Sequence, residues 1–190
     1  MKKSLGLLIS LIIGLGINLS LALGQEENKG TLIADSQYFS IYAEAPVDAY
    51  AVVSKLKFDY LRFGEKLTKG AEDDLAQILV KTIDGLYLEV SDIIDIHIYS
   101  FKGTIRVLPD RPSLEALLKK DYNLDFPERS LYYFEKNTIF ISQADITLGM
   151  LGHEMAHAII SNFFVVPPPP KVQEILAGYV EYSLNKVHGS

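Results

Sequence analysis

Apolar residues recur in three patterns along this chain, and each predicts a different element. A continuous apolar run covers Leu5 to Leu23. Short aromatic and β-branched stretches predict strands at Tyr38–Ala43, Ile96–Tyr99, Thr104–Leu108, Leu131–Phe134 and Thr138–Ile141. Helical spacing covers the rest. Val52, Leu56 and Tyr60 stand four apart in a segment from Val47 to about Arg62, with Pro46 at its start. Leu75, Ile78, Leu79, Leu86 and Val90 form the stripe of a long helix opened by Glu72-Asp73-Asp74, and Gly85 predicts a bend or stop there. Ser113 is the expected cap of a short helix to about Lys120. Two apolar helices close the chain, one around residues 148–160 and one from about Lys171 to Lys186. They are separated by Pro167–Pro170, which no helix continues through.

The turns join these elements into a topology. Lys102-Gly103 predicts a hairpin between Ile96–Tyr99 and Thr104–Leu108, and Glu135-Lys136-Asn137 predicts one between the next two strands. Ser142 with Asp145 reads as a capping box for the helix that follows. The fold class expected is α+β: a small mixed sheet with hairpins, packed on the last two helices.

Met1-Lys2-Lys3 before the apolar run is the layout of a signal peptide over residues 1–24, with Ala22-Leu23-Gly24 for cleavage. Residues 25–36 are polar and read as a flexible linker; 37–190 form the domain. Left uncleaved, the 19-residue run would span about 28 Å, just short of a bilayer core. The expected location is therefore outside the cytoplasm, periplasmic or secreted, or else tethered to the membrane by residues 5–23. The chain has no cysteine, so it has neither disulfides nor thiolate metal ligands. Removing Lys2 and Lys3 with the leader takes the net charge from −6 to −8, and no basic block appears anywhere, which excludes nucleic acid as a partner.

Candidate chemistry centres on His153-Glu154-Met155-Ala156-His157, an H-E-x-x-H pattern within an apolar helix. Residues four apart share a helical face, so both imidazoles can reach one zinc ion, with Glu154 beside its water. The chain has four histidines in 190 residues, so this arrangement is a rare coincidence. His97 reads as a strand histidine on a half-exposed face. A catalytic zinc takes three protein ligands, and position 163, where metzincins place a third histidine, is phenylalanine. The third ligand is then expected to be a carboxylate downstream, where only Glu174 and Glu181 stand.

Glu174-Ile175-Leu176-Ala177-Gly178-Tyr179 resembles the E-G-L-A-x-Y segment of gluzincin zinc peptidases, and the chain as a whole resembles their small exported domains. The resemblance implies Glu174 as the third ligand, a zincin-like fold, Zn2+ as cofactor, and hydrolysis of peptide or protein substrates with Glu154 as general base. Two positions depart from it: Ile175 replaces the glycine after the ligand, and Gly178 replaces an aspartate that supports a histidine ligand. Glu181 and Asp145 are the candidates for that support. Tyr179, Tyr182 and His188 are candidate donors to the reacting carbonyl, and Thr138–Ile141 is the expected strand edge for substrate. The alternatives are a zinc-binding envelope scaffold with little turnover, and an envelope protein without metal.

Overall fold

The computed structural model describes residues 30–56 and 72–188. The leader and residues 57–62 of the first expected helix lie outside them. The described chain is α+β: a mixed five-stranded sheet and five α-helices. Strands β1 (Thr31–Asp35), β2 (Phe39–Ala43), β3 (Gly103–Leu108), β4 (Ser130–Tyr133) and β5 (Thr138–Ser142) stand in the order β1-β2-β3-β5-β4. The β1–β2 and β4–β5 pairs are antiparallel, and β3 lies parallel between β2 and β5.

Side chains alternate across this sheet, as the two-residue period requires. Phe39, Ile41, Ile105, Val107, Ile139 and Ile141 are buried in the larger core with α2 (Glu72–Ile94), α4 (Leu148–Phe163) and α5 (Pro170–His188). Leu108 and Phe140 join a second core with Leu114 and Leu118 of α3 (Arg111–Tyr122).

Several expectations change. Residues 31–35, expected within the linker, form β1, an edge strand paired with β2. Helix α1 is Ala49–Lys55, capped by Asp48, whose carboxylate accepts from the Ala51 amide; Pro46 precedes the cap. α2 runs through Gly85 without a break. Ile83, Leu86, Tyr87 and Val90 are buried around it, which outweighs the roughly 1 kcal/mol a helical glycine costs.

Residues 96–99 form no strand. Asp95 turns to positive φ after α2, and both edges of β3 are already taken by β2 and β5, so the predicted hairpin has no partner. The segment is held instead by the Tyr87 hydroxyl, which donates to the Ile98 carbonyl. Asp110, not Ser113, caps α3, accepting from the Ser113 amide. Ser142 closes β5, and Thr147 rather than Ser142 caps α4. β5 is internal, so the free strand edge beside the helices belongs to β4.

Candidate metal centre

Helix α4 begins where the Thr147 hydroxyl accepts from the Met150 amide. Leu148, Leu151, Met155, Ala158 and Ile159 then bury it between sheet and helices. α5 returns antiparallel along it. Gly152 lies against Leu184 and Val180, Gly149 lies against Asn185, and Ser161 at the far end of α4 meets Gln173 at the start of α5. The glycines permit this approach, since a Cβ on Gly152 would overlap the Leu184 side chain and one on Gly149 the Asn185 amide. Gln173 also donates to the Pro168 carbonyl, which fastens the turn between the helices and sets where Glu174 enters.

The His153 and His157 rings stand one turn apart with centroids 5.0 Å apart and Nε2 atoms 3.3 Å apart. One Glu174 oxygen lies 3.3 Å from His157 Nε2 and the other 3.6 Å from His153 Nε2. Ligands about 2.1 Å from a tetrahedral zinc stand about 3.4 Å from one another. The two imidazole nitrogens stand at that separation, and taking one atom from each residue, all three donors lie within 4.8 Å of one another. These three residues are the group among the described residues whose ligand atoms converge this way. Two imidazoles and one carboxylate suit zinc chemically, and no thiolate is present to favour a softer metal.

Behind the histidines, Glu181 Oε2 lies 3.2 Å from His153 Nδ1, within ion-pair reach though not aligned as a hydrogen bond. Of the two candidates for supporting a histidine, Glu181 is thus the one beside His153; Asp145 instead sits in the turn before α4, its amide bonded to the Ser142 carbonyl. His97 pairs with Asp92.

Glu154 points to the sheet and is 6% exposed. One carboxylate oxygen accepts from the Ser130 hydroxyl and the other from the Tyr132 amide, both at 2.7 Å. Burial pushes its carboxyl above the ordinary range; the Ser130 hydrogen bond and then the nearby His153 and His157 oppose that rise. β4 can serve in this way because it is an edge: its pairing with β5 leaves the Tyr132 amide pointing outward. The Tyr132 hydroxyl, bonded to Asn137 and Asn162, ties the β4–β5 hairpin to the end of α4.

A cleft of about 710 Å³ contains His153, Glu154, His157 and Glu174, and is also lined by Ser130, Phe134 and Pro167. The expected carbonyl donors do not line it. Tyr179 and Tyr182 are exposed on α5, and His188 pairs with Glu89 of α2. Ser130 carried no signal in the sequence, because it reaches Glu154 through strand pairing rather than spacing. Glu181 did carry one, seven residues after Glu174 on the same helical face.

Searches against protein-family models, curated proteins and solved structures returned no match for this chain.

Proposed function

We propose that this chain is a zinc-dependent peptidase of gluzincin type with a zincin-like fold. The observation that carries the reading is the convergence of His153, His157 and Glu174, one ligand atom from each within 4.8 Å of the others, with a buried glutamate next in sequence to one of the histidines. His153, His157 and Glu174 would hold the ion. Bound zinc is a Lewis acid that lowers the pKa of water to about 7 and polarises a carbonyl.

Glu154 is the base that takes a proton from the attacking water and returns it to the leaving nitrogen. Ser130 and the Tyr132 amide orient its carboxylate, and their hydrogen bonds favour the charged form that a base requires. Glu181 orients His153. The predicted leader supports a site of action outside the cytoplasm. A second reading, zinc binding with little turnover, is favoured by one feature: both Glu154 oxygens are already engaged by β4.

Zinc content and peptide hydrolysis, measured on wild type and Glu154→Gln, test the proposal. The variant should keep its zinc and lose activity by about 10²- to 10⁴-fold. Equal activity in both ends the catalytic assignment, and zinc without hydrolysis in the wild type selects the second reading. A wild type that binds no zinc overturns both.

A further inference from the structure

The turn from α4 to α5 exposes an uncharged apolar segment. Phe163, Phe164, Val165 and Val166 are all exposed, with Val165 at 101% and Val166 at 82%, and Pro167–Pro170 follow. The surface runs on along α5. Val172, Ile175, Tyr179 and Tyr182 are exposed there, and at 100° per residue they fall within about an 80° arc. This stripe lies away from the buried Ala177, Val180 and Leu184. A single exposed apolar residue means little, but a continuous patch of this kind marks an interaction surface.

The chemistry of the patch indicates its partner. The protein is acidic overall, at −6, yet the arc contains no acid. Its flanking charges are Lys171 and Lys186, both exposed, one at each end of α5. Valine, isoleucine and phenylalanine beside tyrosine, with lysines at the margin, match a lipid surface. There the apolar groups enter the acyl region, tyrosine sits at headgroup level, and lysine reaches the phosphates. The sequence also supplies a route to such a surface. Six residues lie between the end of the apolar run of residues 5–23 and Gly30, and that connection spans at most about 25 Å. No helix among the described residues is long and apolar enough to cross a bilayer, so contact through this surface is peripheral.

We propose that residues 163–170 and the Val172–Tyr182 stripe of α5 form a membrane-docking surface that seats in the headgroup and upper acyl region of a bilayer. Pro167 and Pro170 belong both to this segment and to the cleft lining, whereas Glu174 and Glu181 stand on another face of α5, so one end of the cleft adjoins the docked segment. Substrates would then be chains close to the membrane. The docking itself does not depend on the peptidase reading.

Because the chain lacks cysteine, one introduced cysteine carries an environment-sensitive fluorophore at a single site. Full-length protein labelled at Val165→Cys, Tyr179→Cys or Lys120→Cys is mixed with phosphatidylcholine vesicles containing phosphatidylglycerol, some lipids bearing a nitroxide on the acyl chain. Lys120 lies on α3, across the sheet from α5, and serves as control. Emission at positions 165 and 179 should fall about threefold or more, with none lost at 120, because only inserted groups meet the nitroxide. Adding Val165→Glu and Val166→Glu should restore emission at 179. Unquenched emission at 165, or equal quenching at 120, overturns the proposal. So does a blue shift at 165 that grows with protein concentration without lipid, which would assign the surface to a second copy of the chain.

Discussion

His153 has a carboxylate on each side: Glu174 near Nε2 and Glu181 near Nδ1. A carboxylate at ion-pair distance from Nδ1 favours the arrangement in which Nε2 is the nitrogen offered to a metal. Glu181→Gln should therefore weaken zinc binding about 10- to 100-fold, measured by competition with a chromophoric chelator, with an unchanged circular dichroism spectrum. The glycines separate packing from chemistry. Gly152→Ala forces a methyl into Leu184 and should cost about 1–3 kcal/mol in chemical denaturation. Gly178→Ala meets nothing within 4 Å, and should be neutral or stabilising by up to about 1 kcal/mol in the same assay.

Helix α4 carries His153, His157 and Glu154, the proposed ligands and base, and its start depends on one hydroxyl. Thr147→Ala removes the acceptor for the Met150 amide and should lower stability by about 1 kcal/mol in urea denaturation, while the helix interior stays in place. Strand β4 has a different role. It is short and at the sheet edge, yet its outward amide and a serine hydroxyl hold both oxygens of Glu154. The strand expected to receive substrate, Thr138–Ile141, is internal, and the free edge of β4 beside it is partly occupied by the protein's own glutamate.

Taken as one molecule, the proposed ligands come from two helices that share a core with α2 and the sheet. An ion held between α4 and α5 would stabilise that arrangement by mass action, by about 2.7 kcal/mol at a free concentration 100 times Kd. Chelation should lower the melting temperature of the wild type. It should leave Glu174→Ala unchanged, since that variant has lost the donor from the second helix. Differential scanning fluorimetry with and without chelator measures both.

Much of the site was legible before the fold was known. One helical turn places His153 and His157 on a common face whatever surrounds them, and the β4–β5 hairpin and the α2 stripe follow from equally local periodicity. Glu174 followed from the segment it resembles, and the folded chain brings it to the histidines. What local pattern could not supply was neighbourhood. A period of two says which face of a strand is buried, but not which strand lies beside it. Residues 31–35 therefore became an edge strand, 96–99 became a loop, and β5 moved to the interior. Glu154 met Ser130 and Tyr132 for the same reason, since partners 24 and 22 residues away are brought together only when the long-range packing forms.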